Sequence, residues 1–351
     1  MRHKWAGAVA AISGIGLLVA GCGGASTTGS SSSSSAAAAS SGSKAVRLIQ
    51  GGGFDFSDAA IYQAMTLLKQ RGYNVTLSNV ADPTTALRSV LAGKADVYLG
   101  APVEAATAVA NGHAAVKYLA SLAQTSDYEV ISLPKYTMQN LSGTNLATAG
   151  PGTAGQIVAV AAMQKAGIDT GQIHQVTVGG TSARVTAILS GQVDLAPVLA
   201  PAAVTAVSTG KVKILLNAGQ VLGDYLQQGL IASDAFAANT TTAQATVTAF
   251  LDAERWAQAN STDYIKTATA NQLTQGLSAA ESQAAWTQLK NGNFFAANGA
   301  VCTQAINQTL GYSYKSPGGL TKATTPPISD WVDPTYVNTY LKAHGQPAGA
   351  C

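Results

Sequence analysis

Residues 91–97 run Leu-Ala-Gly-Lys-Ala-Asp-Val, and residues 189–195 run Leu-Ser-Gly-Gln-Val-Asp-Leu. Both follow the pattern Leu-small-Gly-(Lys/Gln)-aliphatic-Asp-aliphatic, and their glycines, Gly93 and Gly191, stand 98 positions apart. A second glycine keeps that spacing: Gly112 precedes the apolar run at 114–119, and Gly210 precedes the run at 212–216. Gly72 and Gly167 follow candidate helices in the two halves, where a C-terminal cap needs a left-handed residue. The first half predicts strands over 46–49, 75–78, 96–99 and 116–119, with helices over 57–71, 83–92 and 102–111. The second half predicts strands over 146–149, 175–178, 194–198 and 212–216, with helices over 153–166, 181–190 and 200–209. Short strands alternating with helices of ten to fifteen residues indicate βαβ units and a parallel sheet. The period is too long for a solenoid, so the chain holds two similar α/β lobes.

Tyr128–Pro134 and Gly229–Ser233 each follow the last predicted strand of a half and have no counterpart in the repeat. They read as crossings between lobes. Lobe 1 is then discontinuous, 44–125 and 225–351, and lobe 2 is 126–224. The last third is mainly helical, with apolar periodicity over 242–260 and 278–291 and a helix near 334–344. Trp256 and Trp286 read there as core residues that pack these helices onto a lobe.

Residues 1–24 have a basic start, an apolar stretch and then small residues, the pattern of a secretory signal. Val19-Ala20-Gly21-Cys22 resembles the lipobox of bacterial lipoproteins, which implies a signal peptide over 1–21 and lipidation of Cys22. More than one acyl chain makes such an anchor stable. Residues 25–43, with no charge, no proline and no bulky side chain, cannot repay the entropy of ordering. Together 22–43 form a lipidated tether, and its 19 flexible residues reach on the order of 25 Å. Cys302 and Cys351 are then left as an even pair in an exported chain, and a disulfide is expected between them. Such a bond stabilises by about 4 kcal/mol in the chain-entropy account.

The sequence has 351 residues, a formal charge of +3 and only 11% charged residues against 47% hydrophobic ones. Two of the positive charges, Arg2 and Lys4, fall in the signal. The mature excess of about +1 excludes an electrostatic footprint for nucleic acid. His3, His113, His174 and His344 are scattered singly and there is no Cys-x-x-Cys, so no metal, cofactor or catalytic set is expected, and the chain is not expected to be an enzyme.

These features together resemble the extracytoplasmic solute-binding proteins of ABC importers with the type II fold. The group in view includes the sulfonate, taurine and nitrate binders and the thiamine-pyrimidine-precursor binders. The residues that carry the resemblance are the turns at Gly93 and Gly191, Ala166-Gly167-Ile168-Asp169, Pro201, the segment 250–257 and the segment 328–333. It implies an α/β, two-lobed periplasmic-binding-protein type II fold, each lobe a mainly parallel sheet flanked by helices, with a helical C-terminal extension. It further implies a monomer that captures a small solute and delivers it to a membrane permease.

In open parallel sheets ligands bind beyond the carboxyl ends of the strands, where helix N-termini converge. That rule selects Gly52, Gly53, Phe54, Asp55 and Ser57 after the first strand, and Gly100, Ala101 and Pro102 after the third. From lobe 2 it selects Gly152, Thr153 and Ala154, then Gly180, Thr181 and Ser182, then Leu199 and Pro201. Phe54 and Phe56 are candidates to stack on an apolar part of a solute. Ser57, Thr181 and Ser182 serve equally well as helix N-caps, and Asp55 either meets a cationic group or caps a helix. Arg184 either pairs with a ligand anion or lies on a solvated helix face, the latter being the simpler reading. Asp96 and Asp194 open strands at the end away from the cleft, which implies a structural turn. The convergence of helix N-termini favours a small organic anion, such as a sulfonate or nitrate-like solute. The alternatives are a pyrimidine precursor, or a sensor or partner-binding lipoprotein of the same fold.

Overall fold

The computed structural model describes residues 44–112, 115–274, 276–316 and 319–350. Cys22, the tether and Cys351 lie outside them, and with Cys351 the expected disulfide to Cys302.

The first half runs β1 (Ala45–Gly51), α1 (Ala59–Gln70), β2 (Asn74–Val80), α2 (Pro83–Leu91), β3 (Val97–Gly100), α3 (Pro102–Ala110) and β4 (Val116–Thr125). Lobe 2 follows as β5 (Tyr128–Ser132), β6 (Asn145–Thr148), α4 (Ala154–Lys165), β7 (His174–Thr177), α5 (Thr181–Leu189), β8 (Leu195–Leu199), α6 (Ala200–Ser208), β9 (Lys213–Asn217) and α7 (Ala218–Leu222). The chain returns through β10 (Asp224–Ser233) to α8 (Asp234–Ala238), α9 (Thr240–Ala259), α10 (Ser261–Ala270), α11 (Ala279–Asn291), α12 (Thr303–Ser313), α13 (Ile328–Trp331) and α14 (Thr335–Ala343).

The two sheets are ordered β2-β1-β3-β10-β4 and β7-β6-β8-β5-β9. Four strands in each are parallel, and the fourth in order, β10 or β5, is antiparallel to both neighbours. These are the two segments without a counterpart in the repeat. The topology dictates their direction: β4 ends at the carboxyl edge of its sheet, so β5 enters the second sheet at that edge and runs against its parallel strands. β9 and β10 repeat the manoeuvre on the way back. Each crossing segment is therefore a sheet strand rather than a bare linker.

The repeated motif is a turn with a shared set of bonds. Gly93 and Gly191 adopt φ of 67° and 74°, where a Cβ is strained. The Asp96 carboxylate accepts the Arg47 amide at 2.7 Å, and the Asp194 carboxylate accepts the Asn145 amide at 2.9 Å. In both lobes the aspartate thus ties the start of the third parallel strand to the start of the first. Arg47 adds two further contacts to Asp96, at 2.6 and 3.1 Å, while Tyr136 donates its hydroxyl to Asp194 at 2.8 Å.

Alanine supplies much of the buried surface, and α4 is buried from Gly155 through Met163. Small side chains let helices and sheets approach closely, each adding little apolar area. Gly229 on β10 shows how tight the packing is: a Cβ there would lie 2.2 Å from the Tyr118 hydroxyl. Trp286 donates its Nε1 to the Ala257 carbonyl at 2.8 Å, and Trp256 lies over the Tyr264 ring at 6.0 Å, so both tryptophans bind helices to one another. The C-terminal helices also reach lobe 2. Tyr312 donates to the Leu222 carbonyl at 2.8 Å, and Gln164 donates to the Lys315 carbonyl at 3.3 Å.

Candidate functional site

The carboxyl edges of the two sheets face each other and touch. A Cβ built on Gly180 would stand 2.7 Å from the Gly52 Cα and 2.8 Å from the Gly52 oxygen, so the lobes meet backbone to backbone, a closed arrangement. Gly52 reaches this contact with φ of 96° and donates its amide to the Val80 carbonyl at 2.9 Å. Behind the contact lies a cavity of about 80 Å³.

Of the residues selected from the sequence, Gly52, Gly53, Ser57, Gly100, Ala101, Thr153, Ala154, Gly180, Thr181 and Leu199 line this cavity. Six others do not. Phe54 packs edge-on against Tyr62 at 6.0 Å. Asp55 is buried behind the wall and Pro102 opens α3. Gly152 lines a groove beside Leu87 and Arg88, Ser182 is exposed, and Pro201 faces a separate, larger chamber. Phe56 lines that chamber too, and its ring meets Tyr264 edge to face at 5.3 Å. Asp55 caps the turn before α1, accepting the Ser57 amide at 2.8 Å and the Ser57 hydroxyl at 2.7 Å. Arg184 is not on a solvated helix face. It is 2% exposed, and its guanidinium donates to the Pro197 and Gly179 carbonyls and to the Thr181 hydroxyl. The small residues around it leave room for the side chain to fold under its own helix.

The cavity wall holds Arg184 and also residues that the sequence did not single out: Gln50, Asp58, Tyr98, Glu104, Tyr128, Gln227, Gln228 and Phe294. Asp58 accepts the Asp55 amide at 2.9 Å and the side-chain amides of Gln50 and Gln228, each at 3.1 Å. Glu104 accepts the Tyr98 hydroxyl at 2.7 Å and the Ala101 amide at 3.1 Å. The Ala154 amide, at the first turn of α4 across the cleft, also stabilises its charged form. Gly100 makes room for this pair, since a Cβ there would lie 2.6 Å from the Glu104 carboxylate. Asp127, at the crossing, is held by Gln227 of the returning strand, whose Nε2 donates to its carboxylate and whose Oε1 accepts the Asp127 amide at 3.0 Å.

The electrostatics are one-sided. Burial pushes the Asp58 carboxyl up to about 8, with Asp55 adding to the rise. Burial, then Asp55, pushes Asp127 up to about 7. Asp55 and Glu104 are raised by burial as well, against the hydrogen bonds they accept. Among the described residues the two ion pairs, Arg47–Asp96 and Arg71–Asp252, involve none of these acids. Arg184 is the one cation in the cavity wall, and burial lowers its pKa. The site therefore has on lobe 1 hydrogen-bonded carboxyl groups that burial pushes toward their protonated forms, and on lobe 2 the first turns of α4 and α5 with an arginine already engaged.

Two facing α/β lobes, each with one antiparallel crossing strand and a polar cavity between them, define the two-lobed type II class of periplasmic binding proteins. Residues 58–264 match the NMT1/THI5-like family, and the chain belongs to that family. Solved structures share the architecture. The nitrate-binding protein NrtA of Synechocystis PCC 6803 superposes with a TM-score of 0.70 at 13% identity, over 86% of this chain and 89% of that one. The ligand-binding component of an ABC-type import system from Staphylococcus aureus gives 0.68 at 12% identity, over 84% and 98%. The alkanesulfonate-binding protein SsuA of Xanthomonas axonopodis pv. citri, bound to MOPS, gives 0.65 at 17% identity, over 83% and 99%. All three are described as binding proteins or ligand-binding components. No curated protein sequence matches the chain.

Proposed function

We propose that the protein is the solute-capturing component of an ABC importer. In this reading it is held at the outer face of the membrane by a lipidated Cys22 and its tether, and it hands its solute to a permease as a monomer. The observation that carries the reading is the backbone contact of Gly52 with Gly180 over a polar cavity between the lobes. A solute that touches both walls stabilises the closed arrangement through contacts the open one lacks. Family membership and the import role of the structural neighbours support the same reading.

The cavity volume of about 80 Å³ supports a small polar solute, since each enclosed water needs ~10–15 Å³ on this measure. Its charge moves the choice away from the organic anion that the helix N-termini favour. The Glu104 carboxyl stands at the first turn of α4, where a solute anion would sit, and Arg184 is committed to carbonyls. Asp58 and Glu104 instead favour a solute that donates hydrogen bonds, which supports the pyrimidine alternative over a sulfonate or nitrate.

The test is a melting-temperature panel of sulfonates, nitrate, carboxylates and aminopyrimidines on the purified protein. A solute at a hundred times its Kd adds about 2.7 kcal/mol to the native state, and hence several degrees. The donor-bearing class should give that rise. A rise with sulfonates alone returns the solute to the anions, and no rise with any small solute sinks import in favour of a sensor or partner-binding role. Replacing Cys22→Ser should release the protein from membranes, and unchanged retention refutes the anchor.

A further inference from the structure

The cleft has a second compartment, larger than the polar cavity, with more of its lining exposed at the surface, and different in kind. It is a chamber of about 430 Å³ bounded by Phe56, Leu289 and Phe294 from lobe 1 and by Pro201 and Val204 from lobe 2, with Asp127 of the crossing segment in its wall. Phe294 stands in the walls of both compartments. The chamber falls within the ~300–1,000 Å³ of ordinary small-molecule sites, and its lining is mostly apolar, as theirs is.

Its charge has one sign. The ionisable residues of the lining are Asp127 and Glu281, and no lysine, arginine or histidine is among them. Glu281 sits on the outer rim with its carboxylate bonded to the Ser278 amide at 2.8 Å and hydroxyl at 2.7 Å. Asp127 differs. It is 7% exposed and one carboxylate oxygen is held by Gln227; the other, Oδ2, is buried and makes no hydrogen bond, and the nearby Ser57 hydroxyl, which helps stabilise the charged form, is donated to Asp55. Glu129 lies just behind Asn217 of the lining, which donates to it at 2.6 Å, and adds negative potential from the same side. A buried carboxylate short of partners is costly, and a cation beside it offsets that cost.

We propose that this chamber binds apolar amines, with the hydrocarbon body against Phe56, Phe294 and Leu289 and the protonated amino group at Asp127. An ammonium at the wall beside Asp127 offsets a buried carboxylate that neither ion pair of the described residues includes. The proposal rests on the capture reading above, because closure of the same two lobes walls both compartments. It adds the substrate class: a primary amine on an apolar body, which the small polar cavity alone does not accommodate.

Calorimetric titration of the purified full chain tests it with phenethylamine, cyclohexylmethylamine and hexylamine, against phenylacetate and 2-phenylethanol as matched heads. At least one amine should bind, at least ten-fold tighter than the alcohol, and the carboxylate should not bind. Asp127→Asn should weaken the amine ten-fold or more. Val204→Trp, at an exposed position in the chamber wall, should fill the chamber and abolish binding; it decides the matter if Asp127→Asn fails to fold. No binding by any amine, equal binding of amine and alcohol, or unchanged affinity in either folded variant overturns the chamber. If the amines fail while the melting panel finds a solute, the chamber falls and import stands; if both fail, import falls with it.

Discussion

At Gly93 and Gly191 the two lobes are copies: the same left-handed glycine, the same aspartate, the same bond from that aspartate to the first strand's amide. At the opposite edge they part. Lobe 1 brings Asp55, Asp58 and Glu104, whereas lobe 2 brings glycines, threonines and an arginine turned onto its own carbonyls. The edge remote from the cleft answers only to folding, and one solution serves both halves. The edge at the cleft must meet a partner that is not symmetric, so each lobe carries its own chemistry there.

The sharpest way to break this comparison is at the point where the lobes touch. Gly180 has no left-handed φ to protect, and the atoms its Cβ would meet, on Gly52 and Ala81, are all in lobe 1. Gly180→Val should therefore leave folding intact and block closure, lowering solute affinity at least about a hundred-fold, or ~2.7 kcal/mol. Solution scattering should show a more open shape at saturating solute. Wild-type affinity in a folded variant would mean that the Gly52 contact has no part in capture.

A weaker effect tests the likeness of the two copies. Asp194→Ala and Asp96→Ala should each destabilise by ~1–3 kcal/mol through the amides left without a partner, with solute affinity unchanged. Urea denaturation and titration separate the two. A loss of affinity without a loss of stability at either position would give that aspartate a ligand role.

A pH-dependent effect concerns the acidic side. Asp58 and Asp127 titrate at about 8 and about 7 in the fold, facing Asp55, Ser57, Gln50, Gln227 and Gln228, and Glu129 at about 7. These values are raised, so the native state keeps protons that the unfolded chain begins to release near pH ~4. Their stabilising effect is complete below that value, is lost as pH rises through about 7 to 8, and changes no further above it. Unfolding free energy should fall across that window, and Asp58→Asn should reduce the slope by up to one proton. A slope unchanged by Asp58→Asn would place the titration elsewhere.

The repeat made most of the elements legible, with strand and helix limits that agree with the structure to within a few residues. What it left open was the direction and place of the crossing strands, because Tyr128–Ser132 and Asp224–Ser233 carry no sign of which sheet edge they enter. The glycine loops of the cleft were legible from the rule that ligands meet strand ends. Asp58 and Glu104 were not, since Asp58 stands at the N-cap of α1 and Glu104 in the first turn of α3, and each looks like any acid favouring the start of a helix dipole. Gln227 and Gln228 had no local signal at all: their partners Asp127, Gln50 and Asp58 are about a hundred residues away or more.

The sequence by itself determined two α/β lobes, their repeat, the structural role of Asp96 and Asp194, and a cleft edged with glycine, because periodicity and turn chemistry are local. Only the tertiary structure decided the sign of the cleft's charge, the fate of Arg184 and the presence of an apolar chamber beside a polar cavity. Those depend on which side chains burial brings together and which it leaves without a partner, and burial is a property of the packed lobes rather than of any segment.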